Sequence, residues 1–122
     1  MKLLLSIKPE YATRILLGEK KYEYRKHLPK EEIDTIIIYA TSPIKKVLGE
    51  VKVMGIISMC PSSLWEKTKS SAGISREGFR KYFKGCSKAY AYQLGEVIKY
   101  IPEKDLKDYG FDHAPQSFRY IN

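Results

Sequence analysis

At 122 residues the chain is one domain's length of polypeptide, enough to bury a real core, and residues 1–122 are read as a single domain. Its 43% hydrophobic content is ordinary for a globular protein, and no run approaches the ~20 apolar residues that a membrane span requires. The net charge of +8 points to a polyanionic partner; without an amphipathic terminal helix or a lipidation motif to favour a membrane, nucleic acid leads.

Lys2 to Ile7 is apolar and stops at Lys8-Pro9 with no small-residue cleavage site, so it reads as a buried first strand, not a signal peptide. Pro9 suits the first position of a helix, and Tyr11, Ala12, Ile15 and Leu16 recur at helical spacing until Gly18 ends it. The next run, Lys20-Lys21-Tyr22-Glu23-Tyr24-Arg25, alternates with period two. Tyr22 and Tyr24 face one way, and Lys21, Glu23 and Arg25 the other. Lys20 sits in the entering turn, free to swing toward Glu23 and Arg25. Two readings of that face stand side by side: a solvated, salt-bridged strand, or a polar site on a barrel wall with one carboxylate held between two or three cations.

His27 to Glu32 is a loop broken by Pro29, and Ile33 to Ala40 is β-branched enough for a central strand ended by Thr41-Ser42-Pro43. Leu48 to Met59 is a further strand, bent or bulged at Gly49 and Gly55. Pro61 to Ser71 reads as a helix with a Ser63-x-x-Glu66 capping box. In the helix from Ser75 to Lys84, Phe79, Tyr82 and Phe83 share one side; Arg76, Arg80 and Lys84 form a basic stripe on another. Cys86 to Tyr100 is a long strand, Pro102 to Gly110 a loop or helical turn, and Tyr120-Ile121 a final apolar pair. Five or six strands with helices between them give an α+β chain, a small mixed β-barrel with peripheral helices.

Cys60 and Cys86 lie apart and outside any CxxC pattern, so a reducing cytoplasm is the default compartment. His27 and His113 have no partner at metal-ligand spacing; neither a metal nor a cofactor is expected. Cys86 with His113 lacks an activating context for a nucleophile and base, and Cys86 reads as a buried small residue.

Leu5-Ser6-Ile7-Lys8-Pro9, a short helix, Gly18-x-Lys20-x-x-Glu23-x-Arg25, then Tyr39-Ala-Thr-Ser42-Pro43 and Gly49-Glu-Val follow one another in an order that resembles the ASCH domain family, whose signature is GxKxxExR. The resemblance runs over nearly the whole chain, including Leu64-Trp65 and Pro115-Gln116-Ser117-Phe118. It implies a PUA-like fold and a cleft beside the barrel with Lys20, Glu23 and Arg25 in its wall and Ser6, Lys8 and Ser42 near its mouth. RNA or a nucleotide is the implied ligand. Arg25 would grip phosphate bidentately, with Lys8 and Lys20 as point charges. Glu23 would accept from an exocyclic amine, Trp65 or a tyrosine would stack a base, and Arg76 and Arg80 would guide the flanking backbone.

The same resemblance opens two catalytic alternatives on Lys20, Glu23 and Arg25. One is the family's amidohydrolase branch, where a lysine, a threonine nucleophile and a downstream glutamate are implied; Lys20 matches, Glu23 stands at the threonine's place and Ala72 at the glutamate's. The other is a metal-independent ribonuclease, in which the three residues supply base, acid and countercharge. A protein-interaction module with a vestigial pocket is the third reading.

Overall fold

In the computed structural model, which describes residues 1–122, strands β1 (Lys2–Ile7), β2 (Tyr22–Arg25), β3 (Thr35–Ala40), β4 (Lys46–Met59), β5 (Ala89–Lys104) and β6 (Phe118–Ile121) form one sheet. Their order is β2-β5-β4-β3-β1-β6. Only β1 and β3 run parallel; the other pairs are antiparallel. Curled into a half-barrel and joined by helices α1 (Pro9–Leu16), α2 (Pro61–Thr68) and α3 (Arg76–Tyr82), the sheet makes the α+β architecture that the pattern predicts. No helix is long and apolar enough to cross a membrane.

The parallel pair explains the most apolar strand. All six residues of β3 are buried, the expected pattern for a strand covered on both faces. Ile36 and Ile38 turn into the barrel interior with Leu3, Leu5 and α1's Ile15, while Ile37 and Tyr39 turn outward with Leu4 under the C-terminal segment. A separate core of Tyr24, Leu64, Phe79, Phe83 and Ala91 joins α2 and α3 to the far half of β2 and β5. The cleft described below opens where these inner cores meet.

Three local details differ from the sequence expectation. Residue Pro61, with its pre-set φ, starts α2 two residues ahead of Ser63, so Ser63 lies inside the first turn and the capping box does not form. Its hydroxyl turns to the Cys60 sulfur at 3.2 Å, and Glu66 pairs with Lys69 at 2.7 Å. The helix closes at Thr68, and Lys69–Ser71 tightens into a 3-10 turn. Strand β5 begins at Ala89 and runs through Pro102 to Lys104. It accommodates the proline because its register with β4 jumps from Gly49–Lys99 to Val47–Lys104, an irregular stretch where no ladder donor is needed. Register breaks beside Gly49 and Gly55 match the predicted bends.

Candidate functional site: a charged cleft at the end of the half-barrel

A cleft of about 400 Å³ lies between β2, the end of β1, the start of α1 and one face of α3. Alternation along β2 sorts its side chains. Tyr24 joins the α2–α3 core, while Glu23, opposite Tyr92, and Arg25 turn to the other face. Both line the cleft, as do Ser6, Lys8 and Lys20.

Glu23 and Arg25 form the site's ion pair. Arg25 directs Nη2 (2.8 Å) and Nε (3.2 Å) at the same oxygen, Glu23 Oε2, and gives a further Nη2 hydrogen bond to the Ser6 carbonyl at 3.2 Å. Nη1 reaches Ser117 Oγ at a long 3.4 Å. The guanidinium edge that would clamp a phosphate bidentately is therefore occupied within the protein. Arg25 fixes Glu23 and the end of β1, and leaves Glu23 Oε1 without a protein partner. The Ser6 hydroxyl is likewise spent, donating to the Pro115 carbonyl at 2.6 Å.

Lys20 does not complete a carboxylate cluster. The chain leaves α1 through Gly18, which has a left-handed backbone (φ 77°), and the Lys20 amide donates back to the Arg14 carbonyl. The side chain, only 3% exposed, lies with its ammonium 4.8 Å from the Tyr24 ring centroid and 5.3 Å from that of Tyr11. Its hydrogen bond goes to the Ala72 carbonyl at 2.7 Å. One N–H is thus used and two remain. Burial pushes the ammonium down to about 8; Glu23's charge works against that shift, and those of Arg14 and Arg25 add to it. The burial of Lys20, and the lowered proton affinity that follows from it, was not legible in the sequence.

The Ala72-Gly73 turn that receives Lys20 carries no sequence motif. Gly73 has φ +66°, and a Cβ there would fall 2.5 Å from Lys20 Cγ and 2.9 Å from Cδ. Its carbonyl accepts from Arg14 Nη1 at 2.7 Å, tying the turn to α1. Tyr24 is held in turn by Thr68. The Thr68 hydroxyl donates its one proton to the Leu64 carbonyl, so Tyr24 must donate to Thr68 (2.7 Å). Tyr11, Tyr24, Ile74, Lys81 and Tyr82 complete the walls; the sequence offered an unspecified tyrosine to stack a base but singled out none of these five.

Other residues expected at the site lie elsewhere. Ser42 sits exposed in the turn after β3, and does not line the cleft. Trp65 packs 5.0 Å from Phe79 and lines a second depression with Arg76 and Arg80, outside the cleft. Cys86 lines that depression too; His113 lines another, beside Tyr39 and Asp105, so they do not form a pair. Where the amidohydrolase pattern implies a glutamate, this chain offers Lys20 the Ala72 backbone carbonyl.

The fold and cleft define a class: a curled six-stranded half-barrel with a lysine, a glutamate and an arginine set around one opening. The chain belongs to the ASCH domain family, whose model matches residues 5–104. It is 35% identical over 122 residues to a protein named ASCH domain-containing ribonuclease from Zymomonas mobilis, covering 97% of this chain and 82% of that one. The crystal structure of ASCH from Zymomonas mobilis superposes with a TM-score of 0.91 at 29% identity, covering 99% of this chain and 87% of the other. The chain is also 30% identical over 120 residues to ATP synthase subunit alpha of Ureaplasma parvum; the match covers 98% of this chain but spans only 15% of that protein's length.

Proposed function

We propose that this chain binds RNA, or a nucleotide derived from it, in the Lys20/Glu23/Arg25 cleft. The observation that carries the reading is the placement of opposite charges with unused valences in one opening: the Lys20 ammonium with two free N–H bonds, and Glu23 with Oε1 free. About 400 Å³ suits one nucleotide unit, since small-molecule sites begin near ~300 Å³. Lys20 and Lys8 meet phosphate or sugar oxygens, Glu23 Oε1 accepts from an exocyclic amine, and the Tyr11 or Tyr82 ring stacks the base. The ribonuclease name of the Zymomonas relative supports an RNA ligand.

A second reading, cleavage, is favoured by one further observation, the burial of Lys20 in the same cleft as Glu23, which pushes its ammonium down to about 8. In it, Glu23 takes the proton of a ribose 2′-hydroxyl and that oxygen bonds to the adjacent phosphorus. The P–O5′ bond breaks, and the departing oxygen takes a proton from Lys20, leaving a cyclic phosphate.

The test uses wild type, Glu23→Gln and Lys20→Met with short single-stranded RNAs in EDTA, following binding and product in the same samples. Binding by wild type that Glu23→Gln weakens or redirects by ~10- to 100-fold, the worth of one base-edge contact, is the expected result. Product from wild type alone, with affinity retained in the variants, establishes cleavage. Neither binding nor product refutes both readings.

A further inference from the structure

We propose that the site takes a strand rather than a lone nucleotide, and that the strand leaves the cleft across α3, over Lys81, into a basic groove of Arg76, Arg80 and Lys84. The proposal rests on the RNA reading above and extends it beyond the cleft. Helix α3 shows two adjacent faces to solvent-filled concavities. Gly78, Lys81 and Tyr82 face the cleft from one side of the helix, joined by Ile74 from the bend that precedes it. Arg76, Glu77, Arg80, Lys81 and Lys84 line a groove that has no apolar residue. Lys81 belongs to both and forms the crest between them.

The groove is strongly basic, four cations against the one carboxylate of Glu77. Its four cations and single carboxylate enter none of the molecule's ion pairs, and Arg76, Arg80 and Lys84 are all exposed. Elsewhere Lys46, Lys69 and Arg25 each have a carboxylate in contact. Glu77 is the one acidic residue in the groove, a turn from Arg80 and Lys81 but in contact with neither, while Arg76, Arg80 and Lys84 follow one another at four-residue spacing with like charge. Such a surface is suited to a chain of phosphates, read without regard to sequence, with base selection left to the cleft.

The groove is tested with Arg76→Gln/Arg80→Gln/Lys84→Gln, which leaves Lys81 and every other cleft residue in place. The probes are a mixed-sequence single-stranded 8-nucleotide RNA and cytidine 5′-monophosphate, each titrated over a range of salt. A second triple variant, Lys99→Gln/Lys104→Gln/Lys107→Gln, removes the same charge from residues that line neither the cleft nor the groove. The expected result is a log–log salt slope for the 8-mer that is shallower by about two in the first variant, from ~0.7 per phosphate contact on a single strand. Cytidine monophosphate binding stays unchanged and confirms the fold, and the second variant keeps the wild-type slope. The proposal is overturned by a full slope in the first variant, by an equal loss in the second, or by loss of the mononucleotide together with the strand. It is also overturned if wild type binds the 8-mer no more tightly than the mononucleotide, a result that leaves the cleft reading standing. If wild type binds neither probe, both fall.

Discussion

Replacing Lys20 by methionine should relieve a cost that the fold bears at pH 7 and has largely lost by pH 10, while emptying the cleft of its ammonium. Lysine at this position is buried to 3% exposure, with a hydrogen bond to the Ala72 carbonyl and two tyrosine faces as its company. The folded state holds the ammonium at about 8, against 10.5 for the free side chain. The native state therefore binds fewer protons than the unfolded chain between those values, and stability rises with pH across that window. At ~1.36 kcal/mol per pH unit of difference, the charged form costs about 3 kcal/mol at pH 7, falling below about 1 kcal/mol by pH 10. The tyrosine faces return part of it, ~0.5–1 kcal/mol each, so a net cost of about 1–3 kcal/mol at pH 7 is expected.

Methionine keeps the unbranched stem beside Tyr11 and Tyr24 and removes the charge. It also deprives the Ala72 carbonyl of its donor, a penalty of ~1 kcal/mol or more that does not vary with pH. The pH dependence of the difference is therefore the cleaner measurement. Urea unfolding of wild type and Lys20→Met at pH 7, 8, 9 and 10 should show the variant's relative stability shrinking steadily as pH rises. Comparing the two proteins cancels the tyrosines, Tyr24 and Tyr92 among them, which burial pushes up to about 12 and which lower stability above pH 10 in both. A difference that stays flat from pH 7 to 10 would refute the claim that Lys20 is buried as a strained cation.

Gly73→Ala places a Cβ against the Lys20 stem at a left-handed φ of +66°. It should cost about 2–5 kcal/mol in urea unfolding, ~1–2 from the backbone and ~1–3 from overpacking. NMR titration of the Lys20 ε-methylene should show its ammonium moving back toward 10.5 as the side chain is displaced into water. The Tyr24–Thr68–Leu64 relay predicts an asymmetry. Tyr24→Phe removes a donor and leaves Thr68 bonded to Leu64, for about 1 kcal/mol; Thr68→Val strands the buried Tyr24 hydroxyl, for about 1–3 kcal/mol. Equal losses would mean that the hydroxyl finds another partner.

The strands and the charged run were legible because both depend on local period. Two-residue alternation put Glu23 and Arg25 on one face and Tyr24 on the other, which is where they lie. Alternation left the direction of Lys20 open, since it sits in the entering turn; it lines the same cleft as Glu23 and Arg25 but bonds elsewhere. The partner Lys20 takes is a backbone carbonyl 52 residues away, and every residue has one, so no side-chain pattern announces it. Gly73 was silent for a similar reason: its role is to lack a Cβ beside a stem that approaches from another element. Arg25's exposure to phosphate was over-read, since residue type gives five donors but not how many the fold has already used. The Arg76/Arg80/Lys84 stripe was visible from spacing alone, whereas Lys81 as the crest between two concavities needed the packing of α3 against the cleft.

The cleft keeps its two opposite charges apart, and the proposed nucleotide reading depends on that separation. Lys20 and Glu23 are near enough for Glu23 to be felt in the ammonium's proton affinity, yet they form no ion pair. Each is tied to a third group, Glu23 through Oε2 to Arg25 and Lys20 to Ala72. Had they paired directly, each would have satisfied the other, and a ligand would have had to break the bond to enter. Held apart, each keeps a free valence, Oε1 on one side and two N–H bonds on the other. A neutral, apolar lining would be more stable but would offer a nucleotide neither a donor nor an acceptor. The cost at Lys20 is the part of that arrangement which the pH series measures directly.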